Sequence, residues 1–249
     1  MSGITILGSA FAIASASREN THLLVRSKNR NILIDCGNNP VGKLGQVGME
    51  LNSITDLVLT HAHADHMGAL PLLLMDMWLQ RRESALPING LEYTLEHARR
   101  LLEVFHWGEW QNMYPVDFNV VEEKPKTRLI EDENLVLTAS PVQHSIPNIC
   151  TRIDLLDIQK SIVYSSDTAP CTNLVELATG ADVLIQEAAG PGKIHTSPEE
   201  AGKMADEAGV KRLILIHFDP NKPAEDQISE AKRNFSGRVE MACDLMKVV

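Results

Sequence analysis

Four metal-binding side chains stand within six residues in His61-Ala62-His63-Ala64-Asp65-His66, directly after the strand-like run Leu57-Val58-Leu59-Thr60. A segment this dense in imidazole and carboxylate has few uses other than holding a transition metal. Alternate residues of an extended chain face the same way, so His61 and His63 can grip one ion together. Asp65 and His66 follow where the chain should turn into a helix, and they point elsewhere. One short segment can therefore serve two ions. A chance cluster on a solvated loop could carry the same six residues, but it would not be matched by ligand candidates elsewhere in the chain.

Such candidates exist, and each ends an expected strand. His144 follows Leu135 to Val142, Asp167 follows Ile162-Val163-Tyr164, and His217 follows Arg212 to Ile216. A lone histidine is ordinarily surface or satisfied core. Three ligand candidates at strand ends, after a His-x-His-x-Asp-His segment, converge at one rim of a sandwich whose scaffold holds them in place.

The rest of the chain suits that scaffold. Ile4 to Leu7, His22 to Val25 and Ile32 to Asp35 are short, β-branched and bounded by Gly, Asn and Ser, which predicts an antiparallel meander. Leu57 to Thr60 reads as a strand buried on both faces. Helices are expected from Pro71 to about Arg82, with the proline in the first turn, and from Glu92 to Phe105, where the apolar residues are helically spaced. The stretch from Glu109 to Glu133 is mixed, broken by Pro115 and Pro125. Further strands are expected at Leu135 to Leu137, Ile149 to Ile153, Ser161 to Tyr164, Val183 to Ile185, Leu213 to Ile216 and near Val239. Helices are expected after Pro170, at Pro198 to Ala208 and around Asp226 to Phe235. No internal repeat or linker is visible, and 249 residues suit one domain over 1–249. An α/β (α+β) four-layer αβ/βα sandwich accommodates the pattern.

Composition narrows the function classes. The net charge of −10 speaks against a broad nucleic-acid-binding face, which needs basic surface. It leaves room for an anionic substrate, because two dications would dominate the local field. Cys36, Cys150, Cys171 and Cys243 form no CxxC pair and read as free thiols of a reducing cytoplasm. No run approaches the roughly 18 to 20 apolar residues that span a bilayer, so no membrane is expected. The small apolar residues of Met1 to Ser17 lack an early Lys or Arg and are interrupted by Gly8, so they read as a first strand and loop rather than a signal peptide.

With these residues in view, the chain resembles a metallo-β-lactamase-fold hydrolase over essentially its whole length, from the Asp35-Cys36-Gly37 strand ending to His217. The resemblance implies one divalent ion on His61, His63 and His144, a second on Asp65, His66 and His217, and Asp167 bridging them. Asp167 rather than Cys argues against a true β-lactamase, and His63 rather than Glu against the diiron electron-transfer branch. Within the fold, Gln143-His144-Ser145-Ile146-Pro147 with Arg152, Val163 to Cys171, Gly68 to Leu73 and His195-Thr196-Ser197 are similar to ribonuclease Z. Glu187 matches a glutamate that works with the His195 position in that family. Ser197, Pro198 and Glu200 make a capping box with proline at the first helical position, which pins His195 at the mouth of a helix. The nearby dipole favours proton release, as a general acid needs.

Departures from that family matter equally. Only 22 residues separate His144 from Asp167, which leaves no room for the tRNA-gripping arm of ribonuclease Z. The early substrate loop is reduced to Ala16-Ser17-Arg18-Glu19-Asn20. Gln186 stands where the family usually has His, Ser166 where it has Gly, and Ala169 where it has Arg. The expected activity is therefore metal-dependent hydrolysis, first of a small phosphodiester, with a tRNA 3′-processing endoribonuclease acting on RNA 3′ ends, or a lactone, ester or sulfate-ester hydrolase, as alternatives. Asp65 would hold an ion and orient the attacking water, and His195, positioned by Glu187, would protonate the leaving group. Zinc suits the imidazole-rich set, with manganese or iron as other occupants. The segment from Pro71 to about Trp110 is expected at or near a homodimer interface, because the helix from Leu72 to Leu79 is apolar on most faces and needs cover on more than one side, with Trp107 and Trp110 close by.

Overall fold

A computed structural model describes residues 1–219 and 222–249. In the first half, strands β1 (Gly3–Gly8), β2 (His22–Arg26) and β3 (Asn31–Ile34) form the expected antiparallel meander. Helix α1 (Pro40–Gln46) follows, then β4 (Asp56–Val58), the short α2 (Ala64–Met67), α3 (Leu70–Leu79), β5 (Leu86–Gly90), α4 (Glu92–Val104) and β6 (Val116–Val120). From β3 onward the strands pair in parallel.

The second half runs the same course. Strands β7 (Thr127–Glu131), β8 (Leu135–Pro141), β9 (Ile149–Leu155) and β10 (Lys160–Tyr164) pair antiparallel. Helix α5 (Thr172–Ala178), β11 (Val183–Ala188), α6 (Pro198–Glu207), β12 (Arg212–Phe218), α7 (Ala224–Ala231) and β13 (Arg238–Met241) complete it, with β10 to β13 parallel. A final short β14 (Met246–Lys247) returns to β1 in the first sheet. The two sheets are thus ordered β14-β1-β2-β3-β4-β5-β6 and β13-β12-β11-β10-β9-β8-β7.

Side-chain alternation shows why these strands need cover on both faces. Ile4, Ile6, Leu23, Val25, Ile32, Ile34 and Val58 meet the second sheet's Leu137, Ile153 and Ile162 in one apolar layer. Their odd-face neighbours Leu7, Leu24, Leu33, Leu57 and Leu59 meet the helices of the first half in another. Successive strand residues point to opposite faces, so a run that is apolar at every position must be buried twice. Helices α5, α6 and α7 cover the outer face of the second sheet. The result is the helix–sheet–sheet–helix sandwich that the element pattern led us to expect.

Several elements differ from the sequence reading. Residues 86–90, read as no element, form β5, and the mixed stretch from Glu109 to Glu133 contains β6 and β7. The helix expected to reach Arg82 stops at Leu79. Arg81 then turns left-handed, and the Arg82 guanidinium is buried on the carbonyls of Asn52, Ile54, Ser84 and Ala85. The helix expected to run to Phe235 ends at Ala231. Helix α1 went unanticipated because Gly42 and Gly45 weaken its helical signal.

Candidate metal centre

The fold carries the ligand candidates to one rim. Strand β8 runs antiparallel to β9, which runs antiparallel to β10, so β8 and β10 end at the same edge. His144 lies just past β8 and Asp167 just past β10. His217 sits within β12 at a register break against β11, in the left-handed conformation (φ 50°) that tips a bulged residue out of the ladder. From the other sheet, β4 runs into His61 and His63, and α2 begins at Ala64 to present Asp65 and His66.

Two donor sets result, and Asp167 belongs to both: His61, His63, His144 and Asp167 in one, and Asp65, His66, Asp167 and His217 in the other. Within each set one ligand atom from every residue lies within 4.8 Å of the others. In the first, His63 Nδ1 is 3.1 Å from His61 Nε2 and 3.2 Å from His144 Nε2. In the second, His66 Nε2 is 3.6 Å from Asp65 and 3.3 Å from Asp167 Oδ1, while His217 Nε2 is 3.1 Å from Asp167 Oδ2. Donors about 2.0 to 2.2 Å from a tetrahedral ion lie roughly 3.3 Å from one another, so these spacings suit a metal without rearrangement. His66 Nε2 and Asp167 Oδ1 are buried with no hydrogen-bond partner among the described residues. Orphaned polar atoms are costly in a dry interior, and a cation between them removes the cost. The residues present therefore fit two divalent ions.

The ring nitrogens that face away from the sets are held as well. His66 Nδ1 is 2.8 Å from Asp35 Oδ2, His61 Nδ1 is 3.1 Å from Thr60 Oγ1, and His144 Nδ1 donates to the Ile194 carbonyl at 2.8 Å. Looser contacts join His217 Nδ1 to Thr21 Oγ1 (3.4 Å) and His63 Nε2 to Ser145 Oγ (3.5 Å). Such partners select the tautomer and aim the other nitrogen.

Asp35 is the residue whose part the sequence did not disclose. It is fully buried and left-handed (φ 63°), and besides His66 it accepts from Thr60 N at 2.8 Å and from the Thr60 hydroxyl. The residues after it lock the histidine segment. Cys36 N donates to His66 O, Ala69 N donates to Cys36 O, and a Cβ on Gly37 would fall 1.8 Å from the Asp65 carbonyl. Its signal was the Asp-Cys-Gly ending of an otherwise apolar strand.

Electrostatics favour positive charge here. Burial works against ionising Asp167, yet the nearby charges of His217 and His66 outweigh it and hold the carboxyl well below its usual range. Burial likewise opposes charge on His66, but Asp167 and Asp35 outweigh it and raise that imidazole well above its ordinary value. His61, buried and beside His66, is pushed well down. A dication held by these residues would answer the same field as a proton on His66.

His195 stands beside both sets. Its ring stacks on His217 (centroids 5.9 Å) and meets His144 edge-on (5.3 Å). Its Nδ1 lies 2.9 Å from Glu187 Oε1. Glu187 is fully buried and also accepts from Thr168 N and Ala189 N. The hydrogen bond that His195 donates to Glu187 raises the His195 pKa against partial burial, while burial raises that of Glu187. The capping box read from the sequence is formed: Ser197 Oγ accepts from Glu200 N, and Glu200 accepts from Ser197 N.

Two sheets between helices, with two histidine-carboxylate sets sharing one aspartate at the rim, define a metallo-β-lactamase-fold hydrolase of the ribonuclease Z-like group. The chain belongs to the family described as Anti-Pycsar protein Apyc1, whose model matches residues 2–241. It is 29% identical to the ribonuclease Z of Mycobacterium avium, over 98% of this chain and 97% of that one. It is 30% identical to the ribonuclease Z of Mycolicibacterium gilvum, over 98% and 95%. Among solved structures it is similar to the metallo-β-lactamase-fold protein YhfI of Bacillus subtilis (TM-score 0.84, 23% identity, 99% and 98% covered). It is also similar to the short form of human tRNase Z (TM-score 0.81, 24% identity, 100% and 99% covered). A diphosphatase of the PhnP family shares the fold at a TM-score of 0.78 and 20% identity, with 100% of this chain and 98% of that one covered.

Proposed function

We propose that this chain is a two-metal phosphodiesterase whose substrate is a small phosphodiester. The observation that carries the reading is the His195–Glu187 pair set against two donor sets that share Asp167. Hydrolysis of a phosphodiester needs a charge-stabilising clamp, an acidified water and a proton for the departing oxygen. Bound to these ligands, two divalent ions supply the first two. His61, His63 and His144 would hold one ion, Asp65, His66 and His217 the other, and Asp167 both. Asp65, the most exposed carboxylate of the second set, would orient the attacking water. His195 would give its Nε2 proton to the leaving oxygen, and Glu187, accepting from Nδ1, would keep that proton available. Zinc is the occupant that the imidazole-rich sets favour, with manganese or iron as other candidates.

Two relatives' names point to ribonuclease Z, and tRNA 3′ processing is the second reading. Two observations weigh towards the smaller substrate. Residues 144–167 are taken up by β9, β10 and tight turns, so no arm projects there. Arg18, the basic residue of the reduced early loop, is turned inward onto Ser9 and the Ala242 carbonyl. The proposal also includes a cytoplasmic homodimer of one-domain chains with no broad nucleic-acid-binding face. Supporting the dimer, Leu72 of α3 and Phe105 after α4 are more than half exposed around an apolar groove of about 350 Å³ lined with Pro71, Met75 and Trp110. No helix among the described residues is long and apolar enough to cross a membrane.

Turnover of bis-p-nitrophenyl phosphate should be measured beside p-nitrophenyl sulfate, a lactone and a precursor tRNA. Preference for the phosphodiester supports the reading. Preference for the sulfate or lactone rules it out, and efficient cleavage of the tRNA transfers it to the second reading.

A further inference from the structure

His217 needs holding more than the other ligand candidates. It is a β-branch-free but bulky residue in the left-handed region, at a break in the β11–β12 ladder, and the nitrogen that faces away from the donor set, Nδ1, has a 3.4 Å contact with Thr21. Left-handed backbone persists at such a residue only where surrounding contacts impose it. Its main-chain N–H donates to the Ser9 carbonyl at 3.1 Å, and the next residue, Phe218, bridges to Ala10.

Ser9 is itself gripped from the far end of the chain. Asp244 Oδ1 accepts from Ser9 N (3.0 Å) and Ser9 Oγ (2.7 Å), and Asp244 Oδ2 accepts from Glu19 N (2.9 Å) and Lys43 Nζ (2.7 Å). Arg18 closes the arrangement: it donates to Ser9 Oγ (3.0 Å) and the Ala242 carbonyl (2.7 Å), and its guanidinium lies over the Phe218 ring at 4.8 Å. The Asp244 side chain is only 7% exposed, so these contacts are made out of water, where charge-assisted hydrogen bonds are strong. A carboxylate with all four of its contacts on residues 9, 19 and 43 has no partner in its own segment. Its position is explained by what it holds.

We propose that Asp244, acting through Ser9 with Arg18, is a positioning residue for His217 and thereby sets the affinity of the second metal site without touching it. This rests on the two-metal reading above. It assigns part of the site to the last residues of the chain and predicts a selective defect. Loosening Ser9 should affect the ion on Asp65, His66 and His217 and spare the one on His61, His63 and His144.

The test is competition with a chromophoric chelator, using zinc and cobalt(II) on the full chain stripped of metal, for wild type, Asp244→Asn, Ser9→Ala and Lys43→Met. Loss of an indirect partner of a metal ligand typically weakens binding by about 10- to 100-fold. Asp244→Asn should weaken the second equivalent by about tenfold or more, leave the first within about twofold, and regain activity when metal is raised. Ser9→Ala should shift the second equivalent in the same direction, and it carries the test if Asp244→Asn does not fold. Lys43→Met removes the ion pair outside the path to His217. It should lower the melting temperature without weakening the second equivalent. Unchanged second-site affinity in folded Asp244→Asn and Ser9→Ala overturns the proposal, as does equal weakening at both sites. A wild-type chain that binds only one ion overturns the two-metal reading instead.

Discussion

Asp167 gives one carboxylate to both donor sets, with Oδ2 3.9 Å from His61 Nε2 of the first and Oδ1 3.3 Å from His66 Nε2 of the second. Asp167→Ala should therefore abolish turnover and lower the content of both ions, as elemental analysis would read. Loss of one ion alone would show that the carboxylate does not bridge. His195 contacts the sets only through its ring, so His195→Ala should keep metal content intact. Turnover should fall by about 10²-fold or more for poor leaving groups, and much less for p-nitrophenolate, which leaves without a proton. Equal losses with both kinds of substrate would remove the acid role. The pH dependence follows with a definite sign. Glu187 raises the His195 pKa, so the acid stays protonated to higher pH than a free imidazole would. Glu187→Gln removes that support, and the alkaline limb of kcat should move to lower pH. A limb that stays in place, or moves up, would separate the two residues functionally.

At the scale of elements, the site depends on how strands end and how helices begin. Apolar runs drive β4, β8, β10 and β12 into the sandwich, and their ligands appear where the run stops and the chain meets water. Helix α6 starts at the capping box that frames His195 and packs against α7 so closely that a Cβ on Gly202 would lie 2.1 Å from the Ala231 carbonyl. Gly202→Ala is expected to destabilise the chain by about 1–3 kcal/mol through overpacking. A melting point lowered by roughly 2–4 °C per kcal/mol checks this in calorimetry; an unchanged melting point would mean that α7 yields freely. Strand endings and helix caps were legible because each is written in a few adjacent residues. Strands β5, β6 and β7 were not. Leu86-Pro87-Ile88-Asn89-Gly90 mixes turn residues into a strand, and the exposed Asp117 and Arg128 break the apolar pattern of β6 and β7. Strand β5 pairs with β4 and β6 with β5 across long stretches of chain (Leu57 with Ile88, Leu86 with Val116), whereas β7 is held by a hairpin with the adjacent β8.

For the whole molecule, the metals should act as structural braces between the sheets. Ligands from α2 belong to the first half and those after β8, β10 and β12 to the second, so bound ions cross-link the halves. Stripping them with a chelator should lower the melting temperature, and two equivalents per chain should restore it, as linkage requires. Restoration by a single equivalent, with full activity, would end the dinuclear reading. The open side of α3 carries a second whole-molecule expectation. Light scattering at micromolar concentration should give a dimer mass, and Leu72→Glu should shift it towards monomer while the chain stays folded. A wild-type monomer would leave that apolar surface to some other role.

The sequence by itself determined the candidate ligand types, their order along the chain and the sandwich that gathers them. Metal ligands are chemically distinctive, and a strand apolar at every position can only lie between two layers. It also set out the capped helix behind His195, since a capping box is local. Tertiary structure alone decided what aims those ligands. Asp35 reads in sequence as a strand ending and Arg18 as a remnant of a substrate loop, while Asp244 lies past the last expected strand with no role assigned to it. In space the first orients His66, and the other two grip the Ser9 carbonyl segment against His217. Asp35 reaches His66 across 31 residues and Asp244 reaches Ser9 across 235, distances at which no local pattern in the chain records a contact.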